Sequence, residues 1–273
     1  MDLQAMASGD LLFEHITSFL NFSNEESRKK QFVLAIKDSL SDLSFVFADF
    51  LSFYIKQDYP VILVNLAQSF HHYNYILLKS GINLKTLREQ DKIIQIDVLG
   101  EAENVISCPA DVVNNLQTLS SVVLNSSDSH CLKPLYESIE TGLKSILKLK
   151  PKQFILLIDE INVLINLGVP LKAIQLFIQR CFALCVNGTE TAGLLLVGAL
   201  QDGNDSESVK YVNFLSHICD IELHIEGLKT GYSKDIQGKM SVKTRDKAHG
   251  SFTNQKLFFK VEDKGAKYFT LSS

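Results

Sequence analysis

Along the chain, short and almost unbroken apolar runs alternate with longer segments in which apolar residues return every three or four positions. The runs are QFVLAIK (31–37), PVILVNLA (60–67), KIIQIDVL (92–99), QFILLID (153–159) and TAGLLLVGAL (191–200). A strand that is apolar on both sides must be covered on both sides, which is the situation inside a parallel sheet. Between the runs, Leu132, Leu135, Ile139, Leu143 and Ile146 form one stripe of a helix over 132–147, with Glu137, Glu140 and Lys144 off it. Ile174, Phe177, Ile178, Cys181 and Cys185 do the same over 171–186. SDLSFVFADFLSFYIK (41–56) is apolar nearly all round, a helix with Ser41 or Asp42 as its N-cap. This order of strands and helices predicts a three-layer αβα domain with a mostly parallel central sheet.

The period changes in the last fifty residues. IELHIEG (221–227), GKMSVKTR (238–245), SFTNQKLFFKVED (251–263) and AKYFTL (266–271) alternate apolar with polar, and turn-forming residues at 235–238 and 247–250 separate them. The expectation is a parallel core extended at one edge by antiparallel strands. Residues 1–25 read as a flexible N-terminal extension and 26–273 as one domain.

Composition adds boundaries. With 46% hydrophobic residues in 273, the chain can bury enough surface to order itself. The longest apolar runs fall well short of the roughly 20 residues of a membrane helix, so no membrane partner is expected. Five sparsely spaced cysteines, and no Lys or Arg before Arg28, point to a reducing, cytoplasmic setting with thiols acting as small hydrophobes. Charge is unevenly spread. Residues 229–267 hold ten Lys/Arg against four acids, +6, in a chain of formal charge −4, so the remainder carries −10.

A parallel sheet followed by antiparallel strands is the plan of RecA-like ATPases, and the nucleotide motifs can be checked directly. A phosphate loop needs G-x-x-x-x-G-K-[ST] after the first strand, so that backbone N–H groups surround the phosphates and Lys reaches their oxygens. That junction reads KDSLSDLSF (37–45), and no stretch of the sequence satisfies the motif. FILLIDE (154–160) nevertheless resembles a Walker B strand, in which the positions of Asp159 and Glu160 hold a Mg²⁺ water shell and polarise the attacking water. The plainer reading is a buried strand ending in a carboxylate, with Asp159 capping a helix that begins near Ile161. Cys181 and Cys185, one turn apart on an apolar stripe, read as core thiols. DGNDSE (202–207) reads as a solvated loop. These local patterns point away from a self-sufficient enzyme.

Several strings resemble the Elongator complex protein 6 family: FADFLSFYIKQDYPVILVNLAQSFHHYNYI (47–76), LKPLYESI (132–139), FILLIDEINVLINLGV (154–169), LSHICDIELHIEGLKTGYSKDIQGKM (215–240) and SFTNQKLFFKVEDKGAKYF (251–269). The most specific is the EGL-x-T-G-[FY]-x-x-D-[IV]-x-G pattern within 215–240. The resemblance implies a non-catalytic RecA-like subunit of the Elongator complex that needs no cofactor. It implies assembly with Elongator proteins 4 and 5 into a hexameric ring that docks on the catalytic Elongator subunits. The ring would bind tRNA and support modification of the wobble uridine, U34, in the cytoplasm and, as a second compartment, the nucleus. A divergent ATPase of the recombinase-paralogue type, using Asp159 and Glu160, is the alternative.

Two surfaces follow as expectations. The basic strip is either a solvated hairpin face or a tRNA-contacting surface with Lys243, Arg245 and Lys247 in one exposed turn. The loop at 201–209 is acidic and would not touch phosphate. In the helix 41–56, Phe47, Phe50 and Tyr54 share the side that packs on the sheet, while Phe45 and Phe53 lie nearer the other. Phe45 and Phe53 are therefore expected to form a subunit interface, unless 11–22 folds back over them.

Overall fold

The apolar runs become the middle of a ten-stranded sheet. The computed structural model describes residues 3–5, 31–98, 100, 130–186, 191–228, 235–245, 252–263 and 265–271. In chain order the strands are β1 (Leu3–Ala5), β2 (Gln31–Lys37), β3 (Val61–Asn65), β4 (Ile93–Asp97), β5 (Gln153–Ile158), β6 (Ala192–Leu200), β7 (Ile221–Gly227), β8 (Gly238–Arg245), β9 (Phe252–Glu262) and β10 (Gly265–Leu271). Across the sheet their order is β1-β10-β9-β8-β7-β2-β6-β5-β3-β4. From β7 to β4 every neighbouring pair is parallel, and from β7 outward to β1 every pair is antiparallel.

Strand β7 corrects the expectation in one respect. Its alternation places it with the antiparallel group, yet it runs parallel to β2, Val33 facing Ile221, and antiparallel to β8. It is the seam between the two halves. Asp220, just before it, accepts from the Phe32 amide at 2.9 Å and donates its own amide to the Phe32 carbonyl at 2.8 Å.

Helices cover the parallel strands on both sides. On one face lie α1 (Ser44–Lys56), α2 (Phe70–Leu78) and α3 (Leu84–Glu89). Phe47, Phe50, Leu51 and Tyr54 of α1 meet Val33, Leu63 and Leu157 of the sheet there. On the other face lie α4 (Lys133–Leu147), the short α5 (Asn162–Asn166), α6 (Leu171–Val186) and α7 (Ser206–Ile218). Their buried side chains, Cys181 and Cys185 among them, meet Phe32, Leu34 and Leu195. Burial pushes both thiols up from their ordinary range, as expected of core cysteines.

The differences from sequence are local. Helix α1 begins at Ser44 with Leu43 in the cap position, and the Asp42 carboxylate still accepts from the Ser44 amide at 3.2 Å. The acidic stretch at 202–207 is not simply a solvated loop: Asp205 caps α7, accepting from the amides of Glu207 and Ser208. Leu3–Ala5, expected in a free extension, pairs with β10. The rest of that extension, the 11–22 segment, Lys247 and the 247–250 turn lie outside the described residues.

Candidate functional site

In open α/β sheets ligands meet the carboxyl ends of the parallel strands, so the ends of β2, β3, β5 and β6 are the place to look for chemistry. Asp159 follows β5 there and is 3% exposed. Its Oδ1 accepts from the amides of Leu66 (2.8 Å), Ala67 (3.1 Å) and Glu160 (2.8 Å), and its Oδ2 from Gln68 (2.8 Å). The carboxylate thus fills a nest of backbone N–H groups made by the turn between β3 and α2, the kind of concavity that elsewhere holds an anion. Burial pushes its carboxyl up to about 6, while the amides of Gln68, Leu66, Ala67 and Glu160 pull the other way.

Glu160 is also engaged. Its Oε2 lies 2.8 Å from Nζ of Lys37, the last residue of β2, with both side chains less than one-fifth exposed. Beside them Asn162 clamps the end of β6, donating to the Leu200 carbonyl at 3.0 Å and accepting from its amide at 2.7 Å. The Asp159 backbone presses so closely on β6 that a Cβ added at Gly198 would sit 1.9 Å from the Asp159 carbonyl oxygen. Both carboxylates of the Walker B-like pair are therefore held by the chain itself. Asp159 does not cap α5, whose cap position is Ile161 with no side-chain hydrogen bond; it organises the start of α2 instead. Sequence could not reveal this, because three of the four donors to Asp159 lie 91 to 93 residues away.

The loop from β2 to α1, where RecA-like ATPases place a phosphate loop, is tied by its own acids. Asp38 accepts from the Leu40 amide, the Ser41 hydroxyl and the Gly227 amide, at 3.1, 2.6 and 3.3 Å. Asp42 serves the start of α1. Carboxylates at a helix N-terminus occupy the position that an anionic ligand would take.

Other predicted residues stand apart from this edge. Lys243 and Arg245 lie in strand β8, half-buried, and not in an exposed turn. Lys243 is 3.3 Å from Glu222, and Arg245 donates to the Ser216 carbonyl at 2.9 Å. Burial would raise the Glu222 carboxyl, but the hydrogen bond from His224 and the charge of Lys243 hold it below its ordinary value. Phe45 is 6% exposed, stacked on Phe259 of β9 with ring centroids 4.7 Å apart. It belongs to the chain's own core, with an edge that lines the cleft between the start of α1, α2 and the β9–β10 turn. Phe53 is half-buried, packed beside Tyr54.

Comparison with known proteins fits this architecture to a family. The family model described as Elongation complex protein 6 matches residues 13–263. The chain belongs to that family. It is 31% identical to Elongator complex protein 6 of Danio rerio over 264 residues, covering 95% of this chain and 97% of the relative. It is 28% identical to Elongator complex protein 6 of Homo sapiens over 263 residues, covering 94% and 97%. Among solved structures, a KaiC-like protein from Pyrococcus horikoshii superposes with a TM-score of 0.55 at 14% identity, over 88% of this chain and 90% of that one. That likeness establishes the RecA-like fold. A family member on such a frame need not keep the ATPase apparatus, and here the pair at the end of β5 serves the frame.

Proposed function

We propose that this chain is a non-catalytic RecA-like subunit of the Elongator complex. In this reading it assembles with Elongator proteins 4 and 5 into a hexameric ring, docks with them on the catalytic subunits, and supports tRNA binding and wobble uridine modification in the cytoplasm and nucleus. One observation carries the non-catalytic part: Asp159 and Glu160 are both taken up by partners within the chain. A carboxylate filling a nest of four amides is not available to order a metal water shell. Family membership supports the assembly part.

The surface supports it too. Phe45 contributes to that surface from within the core, lining a cleft that Phe53 does not reach, and other apolar side chains stand in the open. Leu40 is 73% exposed and Tyr75 64%, with Leu78 and Val261 also exposed. Leu40, Phe45, Ile76 and Val261 line a cleft of about 840 Å³ between the start of α1, α2 and the β9–β10 turn, among charged neighbours such as Asp42, Lys79 and Glu262. Grouped apolar side chains around one cleft are characteristic of a surface that another chain covers. Among the described residues, no helix is long and apolar enough to cross a membrane.

Co-expression with Elongator proteins 4 and 5 followed by native mass measurement tests the reading. A complex with two copies of each chain is expected, and Leu40→Ser with Val261→Ser should break it while leaving the fold intact. A chain that stays monomeric beside both partners would overturn the assembly. ATP turnover by the purified chain, abolished by Asp159→Ala, would overturn the non-catalytic part.

A further inference from the structure

Among the described residues, helices cover one face of the antiparallel strands, while on the other face Phe269 is buried and Phe252 and Lys256 are exposed. Residues opposite each other across an antiparallel pair share a face, so the register sorts the side chains. Met240, Val242, Leu257, Phe259, Ala266 and Tyr268 point to the side of α1 and are buried. On the other side the apolar cluster under α4, α6 and α7 ends at Cys219 and includes no residue of β8, β9 or β10. This second face is lined instead by cations: Lys239, Lys243 and Arg245 on β8, Lys256 and Lys260 on β9, and Lys267 on β10.

Three of them are neutralised locally. Lys239 pairs with Glu226, Lys243 with Glu222 and Lys267 with Glu262. Among the described residues, neither Lys256 nor Lys260 pairs with a carboxylate. Lys260 stands directly opposite Lys267, and Lys256 lies between Lys239 and Lys243 on the diagonals of the ladder. Like charges in such register destabilise an antiparallel pair, and an anion laid over them reverses the sign of that term. Aromatic side chains share the face. Phe252 is 57% exposed with the Arg245 guanidinium 5.4 Å over its ring, and Phe258 is half-buried two residues beyond Lys256.

We infer that this face binds a single-stranded segment of RNA, with phosphates along Lys256 and Lys260 and bases stacked on Phe252 and Phe258. A flat sheet face that alternates cations with aromatic rings suits unpaired nucleotides, whose bases need a stacking surface and whose backbone needs a track of positive charge. An acidic peptide would use the lysines but leave Phe252 idle. The inference rests on the tRNA-binding reading above and assigns its contact on this chain to residues other than the predicted set of Lys243, Arg245 and Lys247.

The test is fluorescence anisotropy with a short fluorescein-labelled oligouridylate, using the full chain alone and co-assembled with its partners. Lys256→Glu with Lys260→Glu should weaken binding by about tenfold or more and flatten the salt dependence by about 1.4 in slope, two single-strand phosphate contacts. Phe252→Ala should weaken it by about fivefold or more with the slope unchanged. Circular dichroism checks the fold, and Lys256→Gln with Lys260→Gln replaces the Glu pair if that pair unfolds. Variants that bind as well as the natural chain, in an assembly that still binds tRNA, would overturn this inference and leave the ring reading standing. An assembly that binds neither probe would overturn both. Equal competition by a polyglutamate peptide would make the face an acidic-protein site and overturn the RNA assignment.

Discussion

Strands β6 and β9 are both long, and they are buried in opposite styles. Of the nine residues of β6 all but the last are buried, whereas β9 buries only Leu257 and Phe259 of its eleven. The first sits between two layers of helices, and the second, among the described residues, has helix on one side only. Strands β2, β3 and β5 repeat the first style, and β8 the second. A strand sandwiched by helices must be apolar throughout and leaves no side chain for recognition. A strand covered on one side keeps every second position free for an external partner. The carboxylates at the end of β5 are therefore taken up within the parallel half, while the proposed recognition surface lies in the antiparallel half.

The comparison breaks most sharply at Asp159. Replacement by Ala leaves four amides without their acceptor, and a loss of about 4 kcal/mol is expected, read by urea unfolding. A loss below about 1 kcal/mol, within the range of an ordinary surface substitution, would mean that the nest is not what holds the turn. Next come two phenylalanines of the same chemistry in the two environments. Phe45→Ala should cost about 3 kcal/mol, while Phe252→Ala should stay within about 0.5 kcal/mol. Equal costs would erase the distinction between the faces. Gly198→Ala should cost about 2 kcal/mol through overpacking against the Asp159 carbonyl, with the thermal midpoint as the readout.

A further comparison concerns pH and sharpens the junction between the halves. Tyr268 of β10 donates to Asp49 of α1 at 2.7 Å. Burial pushes the Asp49 carboxyl up from 3.8 to about 7, against the pull of Tyr268 and Lys56. An acid whose folded value is raised stabilises the fold below its unfolded value, and that contribution is lost as pH rises through the folded one. Stability should therefore fall between about pH 4 and pH 7, with Asp159 contributing up to about 6. Asp49→Asn should flatten the upper part of that fall in a series of unfolding midpoints. An unchanged profile would remove Asp49 as its source.

Much of the frame was legible from local pattern. The strand QFVLAIK (31–37) and the helix 171–186 coincide with β2 and α6, because period and length are properties of the segment itself. What escaped the reading is set by distant partners. Phe45 looked like an outward ring until Phe259, more than two hundred residues later, stacked on it. Lys243 and Arg245 looked like a free basic turn until β7 and α7 brought Glu222 and the Ser216 carbonyl to them. The basic face of β8–β10 was half visible in the charge count, but which lysines remain unpaired depends on register. Helix α7 was missed because its polar start, SESVK, hides a stripe of Tyr211, Val212 and Leu215.

The central position of β2 has a consequence for how the chain is made. Its two neighbours in the sheet, β6 and β7, are translated long after it, and the bond from Phe32 to Asp220 spans 188 residues. A strand whose apolar residues all require cover on both sides emerges from the ribosome first and waits for most of the polypeptide before either ladder can close. Such non-local pairing makes folding slow and leaves sticky surface open during synthesis. Cells that make this protein are expected to shield residues 31–37 with chaperones, and a truncation before β6 should aggregate rather than fold as a smaller unit.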